Sequence, residues 1–289
     1  MAKSALLKSS LAKKYWMALT GLFLCLFLVG HLLGNLQIIY ADAHQFNTYA
    51  LFMTSNPAVK ALSYLTYISI LFHSIDGAVL TYRNVKARPV GYVKNNPSKN
   101  SPWSSRNMGV LGTIILVFIV THMMNFWAVM HFDNKMPLEQ IMVKGQNGRM
   151  DYYYPTQTPG DYIPVAQTAY SKEEAKAQMK QFYIKDKTEF YYTAVDVKKA
   201  DGFKDLHKVT VAFFKHEKLG LLYAILYALA MVVLGFHLYH GFASAFQSMG
   251  ANHPKYSPLI SKFGIGFSIV VPFLFAIIPL YVHFLLKTV

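Results

Sequence analysis

Five long apolar runs constrain the fold of this chain more than any other feature of its sequence. They cover about residues 16–39, 58–82, 107–130, 219–242 and 263–286 and are named spans one to five. About 20 apolar residues in a helix are enough to cross the hydrocarbon core of a bilayer. The composition, 54% hydrophobic and only 15% charged, fits a membrane protein, and a soluble domain of this size would not need five such runs. The sequence predicts an all-α, polytopic membrane protein with five transmembrane helices.

A long loop separates spans three and four. Residues 131–218 carry 14 Lys and Arg against 12 Asp and Glu, so the charge of this loop is nearly balanced. The chain therefore has three predicted parts. Residues 1–130 hold the N-terminal segment and spans one to three, residues 131–218 form a loop insertion, and residues 219–289 hold spans four and five.

The net charge of +14 indicates membrane topology rather than a nucleic-acid-binding face. Outside the long loop, the basic residues lie mostly at the ends of the apolar runs. They include Lys3, Lys8, Lys13 and Lys14 before span one, and Arg83, Lys86, Arg88, Lys94, Lys99 and Arg106 between spans two and three. The positive-inside rule places these segments in the cytoplasm. We therefore expect a cytoplasmic N-terminus, an extracytoplasmic loop 131–218 and an extracytoplasmic C-terminus.

Four of the spans each carry one deeply placed histidine: His31, His73, His122 and His237. An imidazole in a membrane segment is costly, and it usually faces a partner, a cavity or a cofactor. A single one could bond to a neighbouring helix or relay protons. Recurrence in four spans favours a shared role, and the hypothesis that explains all four is axial ligation of two haem b irons.

The predicted topology sorts these histidines into two layers. His31 and His122 lie past the middle of outward-running helices, whereas His73 and His237 lie past the middle of inward-running ones. At 1.5 Å per helical residue the layers are about 10–15 Å apart, which fits within a bilayer core of about 30 Å. We expect His31 and His122 to ligate an outer haem, and His73 and His237 to ligate an inner haem.

Three further residues are candidate neighbours of a haem propionate or a quinone. His240 lies on the same helix face as His237 but nearer the cytoplasmic end, so His237 is the preferred ligand. Arg83 ends span two within reach of propionates, although positive-inside anchoring explains it equally well. Asp76, one turn from His73, could relay a proton to a quinone or pair with a basic neighbour.

Glycines recur near three of the four histidines, and several polar residues could bond a quinone. Glycines within the spans could let the haem macrocycle approach the helix backbone, or they could let neighbouring helices pack closely. The glycines are Gly30, Gly34, Gly77, Gly235 and Gly241, and the polar candidates are Ser9, Ser10, Lys13, Asn35 and Gln37. These alternatives stay open.

Three stretches carry a resemblance to a known family. They are KKYWMALTGLFLCLFLVGHLLGNLQ, HSIDGAVLTYRNVKARP and FHLYHGFASAFQSMG. They resemble the cytochrome b membrane anchor of succinate dehydrogenase and fumarate reductase, in the single-subunit, five-helix, dihaem form of Bacteroidetes-like complexes. The resemblance covers the spans, about two-thirds of the chain, and it implies haem ligands at His31, His73, His122 and His237.

The resemblance also implies a respiratory role in complex II. Partners would be a flavoprotein subunit with FAD, which holds the succinate and fumarate site, and an iron–sulfur subunit on the cytoplasmic side. The chain would pass electrons to or from menaquinone in a bacterial inner membrane, and the complex could form a higher oligomer. No glutamate lies within the spans, so proton coupling through such a residue is not expected.

Two other function classes remain open. One is the dihaem cytochrome b subunit of a hydrogenase or a formate dehydrogenase. The other is a haem-free transporter whose histidines bind a metal or protons.

The long loop shows signs of local structure. Ser171 and Glu174 have the spacing of a capping box, which predicts a short helix. Residues 190–195 favour a strand, whereas residues 152–155 indicate an irregular start. The loop could cover the outer haem, contact a partner or form a solvated insertion.

Overall fold

The computed structural model describes residues 9–90, 96–134, 136–144 and 148–287. Lys3, Lys8 and Lys94, which entered the topology prediction, lie outside the described residues. The helices in chain order are α1 (Ser10–Tyr40), α2 (Ala43–Ser55), α3 (Pro57–Lys86), α4 (Pro97–Asn100), α5 (Trp103–Arg106), α6 (Met108–His122), α7 (Val129–Phe132), α8 (Lys172–Ala177), α9 (Leu206–Phe214), α10 (Gly220–Ser248) and α11 (Ser257–Phe284).

The described residues contain five helices that are long and apolar enough to cross a membrane, as the sequence predicted. Their bounds are Ser10–Tyr40, Pro57–Lys86, Met108–Phe132, Gly220–Ser248 and Ser257–Phe284, which are spans one to five in order. In span three a π-helical segment, Met123–Ala128, joins α6 to α7. The chain is therefore a multi-pass membrane protein.

The chain forms two compact units. The membrane unit comprises Met1–Ile39, Pro57–Thr121 and Phe214–Val289. The loop unit comprises Tyr40–Asn56 and His122–Phe213, so it contains α2 and the end of span three in addition to the long loop.

Spans four and five form the closest helix pair of the membrane unit. Among the described residues, no other two spans have Cα atoms within 8 Å of each other at so many positions. A Cβ at Gly235 would lie 3.1 Å from the Ser268 carbonyl oxygen, and one at Gly264 would lie 2.8 Å from the Phe242 ring. Small residues allow such close approach of membrane helices. Gly235 therefore serves helix packing rather than access to His237.

The prediction of an all-α chain is wrong for the loop unit, which contains two β-sheets. The first sheet has the order β1 (Ile141–Lys144), β2 (Met150–Pro155), β3 (Tyr162–Pro164), and both pairings are antiparallel. The second sheet has the order β4 (Thr168–Ala169), β5 (Phe182–Lys185), β6 (Glu189–Tyr192), β7 (Lys198–Asp201), with β4 and β5 parallel.

Local predictions for the loop are confirmed in part. Ser171 caps α8 because its hydroxyl accepts from the Glu174 N–H at 3.1 Å, as the capping box required. The strand predicted at 190–195 exists but ends at Tyr192. The irregular start predicted at 152–155 is wrong, because these residues lie in β2 and pair with β1 and β3.

Buried aromatic and aliphatic side chains form the core of the loop unit. Phe190 is fully buried, Ile163 is 1% exposed and Tyr154 is 3% exposed. The three belong to one cluster that draws on strands of both sheets. Burial of this kind stabilises a small domain mainly through the hydrophobic effect.

A buried polar network ties α2 to the rest of the loop unit. The Asn47 side-chain amide donates to Glu139 at 3.2 Å and to Asp205 at 3.0 Å, and its oxygen accepts from the His207 N–H at 3.0 Å. His44 Nδ1 lies 2.9 Å from Glu139. Burial raises the pKa of Glu139 and lowers that of His207. Asn47 therefore satisfies two buried carboxylates that would otherwise destabilise the unit.

Candidate functional site

The membrane unit brings His73 of span two and His237 of span four together. Their ring centres are 6.1 Å apart, and the ring planes are inclined at 68°. Two imidazoles that ligate one metal from opposite sides have centres about 6 Å apart, since each metal–nitrogen bond is about 2 Å long. The spacing of the two rings thus suits a shared metal.

The backbone of span one orients His73. Its Nδ1 lies 3.2 Å from the Met17 carbonyl oxygen and 3.4 Å from the Thr20 hydroxyl. Because a carbonyl oxygen can only accept, this contact places the proton on Nδ1 and leaves the lone pair on Nε2. A ligand histidine commonly donates its other N–H in this way, which fixes its tautomer and ring orientation.

Two glycines lie against these rings from other spans. A Cβ at Gly21 of span one would be 3.1 Å from His73 Cε1, and a Cβ at Gly112 of span three would be 3.6 Å from His237 Cε1. Any larger side chain at Gly21 would push on the His73 ring. Neither contact is predicted by the sequence, because each glycine is on a different span from the histidine it contacts, and local spacing does not reveal such pairs.

His237 carries a buried polar atom that needs an explanation. Its Nδ1 has no hydrogen-bond partner among the described residues. A buried imidazole nitrogen without a partner is costly, and in native proteins it usually indicates a functional contact. The ring spacing and the orientation of His73 are the observations that fit a shared metal cofactor.

The number of ligands favours haem over a bare ion. A haem supplies four nitrogens of its own and takes two axial ligands from the protein, which this pair can provide. A bare cation such as Zn²⁺ takes three or four protein ligands. The two imidazoles therefore match the requirement of haem iron.

Asp76 forms an ion pair with Lys13, one helical turn from His73. Lys13 Nζ donates to Asp76 Oδ1 at 2.6 Å, and the two side chains are 21% and 7% exposed. This is the second of the two roles that the sequence left open for Asp76. The carboxylate is neutralised by span one, which reduces the cost of an acid inside a span.

His31 lies among aromatic side chains in the membrane unit. Its ring stacks on Phe27 at 5.2 Å and tilts against Phe275 at 5.7 Å. The Asn35 amide donates to the His31 carbonyl oxygen at 2.7 Å and lies 3.3 Å from its Nδ1. The pairing of His31 with His122 stays a prediction, because the two residues belong to different compact units.

His122 lies at the point where span three changes from α-helix to π-helix. The π-helical segment begins at Met123, and the His122 ring tilts against Phe126 at 5.3 Å. Short π-helical segments inside helices frequently occur at functional sites. The irregular backbone therefore supports a role for this histidine.

The remaining candidates are His240 and Arg83. His240 Nε2 lies 3.3 Å from the Ser244 hydroxyl of its own helix, so His237 is the residue of span four whose ring contacts His73. Arg83 is exposed in the last turn of span two. Neither placement tests a contact with a propionate or a quinone.

Comparison with protein-family profiles, with curated proteins and with solved structures returns no match for this chain.

Proposed function

We propose that this chain is the membrane anchor and electron-transfer subunit of a succinate:quinone oxidoreductase. The observation that carries the proposal is the pair of His73 and His237, whose ring centres lie 6.1 Å apart on two different spans. The resemblance of three sequence stretches to dihaem anchors supports the choice among membrane cytochromes.

The side chains have distinct roles in this proposal. His73 and His237 hold the inner haem b, while the Met17 carbonyl and Thr20 set the orientation of His73. His31 and His122 hold the outer haem b. When bound, the two haems supply one-electron transfer between an iron–sulfur subunit and menaquinone.

The partner subunits would dock on the cytoplasmic side. Arg83, Lys86 and Arg88 are exposed at the end of span two and give this side a positive surface. A flavoprotein with FAD would hold the succinate and fumarate site, so the present chain catalyses no dehydrogenation itself. The membrane would be the bacterial inner membrane, with the N-terminus in the cytoplasm and the C-terminus outside.

A visible spectrum of the purified protein tests the haem part of the proposal. We expect an α-band near about 560 nm after reduction, as for bis-histidine haem b. A reduced protein without this band would leave the haem-free transporter and overturn the proposal.

Copurification tests the choice of complex. In mild detergent, the tagged chain should bring down a flavoprotein and an iron–sulfur protein with succinate dehydrogenase activity. Recovery of a hydrogenase or a formate dehydrogenase instead would assign the chain to another dihaem cytochrome. Both kinds of complex would show the same haem spectrum. Copurification can therefore contradict the choice of complex while the spectrum still agrees with haem binding.

A further inference from the structure

The hairpin of β1 and β2 in the loop unit extends beyond the buried core of that unit. Tyr154 of β2 is 3% exposed and belongs to the core. Met150 and Tyr152, which precede it on the same face of the strand, are 52% and 53% exposed. Met142 of β1 is 47% exposed. The far part of the hairpin therefore presents large apolar side chains that the rest of the described chain leaves about half exposed.

The strand register places these side chains on one face. Met142 lies opposite Tyr152, and Lys144 lies opposite Met150, in the antiparallel pairing of β1 with β2. Because side chains alternate between the two faces of a strand, all four share a face, named here the hairpin face. Asp151, the acid of this strand pair, lies on the opposite face. The hairpin face thus combines three apolar or amphipathic side chains with a cation and no acid.

The loop unit is tethered to the membrane by every chain connection it makes. It begins at Tyr40, the last residue of span one, and Asn56 directly precedes span two. Span three ends inside the unit at Phe132, and a short segment separates Phe213 from Gly220, where span four begins. Spans one and three end, and spans two and four begin, on the same side of the bilayer. The loop unit therefore stays at one membrane surface.

The composition of the hairpin face suits the head-group layer of a bilayer. Tyrosine is enriched at this level, where its ring contacts acyl chains and its hydroxyl stays hydrated. Methionine side chains are flexible and apolar, and lysine is attracted to anionic head groups. A second copy of the chain fits less well, because two equivalent faces that met around a two-fold axis would bring together two lysines and no acid.

We propose that the hairpin face inserts into the head-group layer of an anionic leaflet. Met142, Met150 and Tyr152 contact the lipid there, and Lys144 pairs with lipid phosphates. The hairpin is then a further membrane contact of the chain, in addition to its spans. This inference concerns the loop unit and does not depend on the proposed electron-transfer function.

Spin-label accessibility tests this contact on the full chain in nanodiscs that contain phosphatidylglycerol. Met142→Cys carries the nitroxide in a Cys25→Ala background, so that the label has a single site. We expect oxygen to reach the label more readily than a water-soluble nickel chelate does, as for a group in lipid. Met179→Cys, in the same unit at a residue that is 90% exposed, is the matched control and should be reached mainly by the chelate.

Two results would overturn the proposal. The first is equal access of the chelate to the labels at 142 and 179, which would show that the hairpin face lies in water. The second is dipolar broadening between the 142 labels of two copies in one nanodisc, with neither reagent reaching them. That result would assign the hairpin face to a second copy of the chain.

A lysine variant measures the electrostatic part of the contact. Lys144→Gln should lower the ratio of inserted to free hairpin by about fivefold, the usual effect of one basic residue beside an anionic leaflet. Replacement of phosphatidylglycerol by phosphatidylcholine should lower this ratio for the wild-type lysine as well. Lys176→Gln, an exposed position on α8 of the same unit, is the matched control and should leave the ratio unchanged. An equal ratio in the two variants would contradict the role of Lys144.

Discussion

At the residue scale, His73 is the best-positioned member of the proposed ligand set. Its Nδ1 contacts the Met17 carbonyl oxygen at 3.2 Å, and Gly21 leaves just enough space beside its ring. Both contacts come from span one, so the orientation of a histidine in span two depends on a different helix. A small change at Gly21 should therefore affect the inner site.

Replacement of Gly21 tests this dependence. In Gly21→Val the new side chain would displace the His73 ring, because even a Cβ there lies 3.1 Å from Cε1. We expect loss of the inner haem, seen as a decrease of about half in the reduced α-band. Gly266→Val is the matched control, since nothing lies within 4 Å of a Cβ there. Equal spectra for the two variants would contradict the packing of Gly21 on a ligand.

The Lys13–Asp76 pair makes a prediction about stability. Asp76→Asn removes one partner of a largely buried ion pair and leaves the Lys13 cation without its 2.6 Å contact. We expect a loss of about 2 kcal/mol, less than for a fully buried pair because Lys13 is partly exposed. Thermal unfolding in detergent measures it.

The double variant Lys13→Met with Asp76→Leu is the control for that experiment. It removes both charges and should recover most of the lost stability. A double variant less stable than Asp76→Asn would show that the two residues do not act as a pair.

How much of the site could be predicted from the sequence differs from residue to residue. His73 and His237 could be paired because a deep imidazole is rare in a span and the topology sets its depth. Gly21 and Gly112 could not be found, because their roles come from contacts across helices. Glycines next to a histidine in sequence were less informative, since Gly235 packs on span five.

At the element scale, Asn47 is the buried polar side chain that ties α2 into the loop unit. Asn47 is 1% exposed and bonds to Glu139, Asp205 and the backbone of His207. Asn47→Ala should lower the free energy of unfolding of this unit by about 3 kcal/mol, because two buried carboxylates lose a donor. Pulse proteolysis of the full chain in urea measures the change.

Gln45→Ala is the matched control for Asn47→Ala. Gln45 lies on the same helix with an exposed side chain, so its replacement should leave the urea midpoint unchanged. Equal effects of the two variants would show that the helix as a whole, and not the network, determines stability.

Strand β5 is tied to the turn after β6 by a contact that depends on pH. The Tyr183 hydroxyl donates to Asp196, which also pairs with Lys172. The bonds from Lys172 and Tyr183 lower the pKa of Asp196, and the bond to Asp196 raises the pKa of Tyr183 to about 12. The contact therefore stabilises the loop unit when Asp196 is ionised and Tyr183 is neutral.

The pH dependence of stability follows from the lowered pKa of Asp196 and the raised pKa of Tyr183. The Asp196 contribution is present above its unfolded pKa of about 4 and is lost as the pH falls through the lower folded value. The Tyr183 contribution is present below about pH 10 and is lost as the pH rises towards 12. Wild type should be more stable than Tyr183→Phe at neutral pH, with the difference shrinking at both extremes. A difference in melting temperature that is constant from pH 3 to 11 would contradict this.

The elements of the loop unit show where sequence patterns suffice. The capping box at Ser171 is a local motif, so α8 was predicted correctly. The sheets were not predicted, because β2 carries consecutive tyrosines and a proline instead of a clear alternation of apolar and polar residues. Its pairing with β1 and β3 is set by contacts distant in sequence.

At the scale of the whole molecule, the spans and the loop differ in how well the sequence predicts their structure. Long apolar runs specify the spans almost without ambiguity, since a bilayer admits only helices or closed barrels. A charged, balanced loop of 88 residues between 131 and 218 gave no such constraint, and two sheets formed there. An all-α class is therefore right for the membrane unit and wrong for the loop unit.

The most direct test of the account is the number of haems per chain in two histidine variants. Haem is extracted and quantified against protein for wild type, His237→Ala and His240→Ala, purified in the same detergent. We predict two haems per wild-type chain, one after His237→Ala and two after His240→Ala, because the His237 ring faces His73. A wild-type chain without haem, or a loss in His240→Ala and not in His237→Ala, would contradict the proposed site.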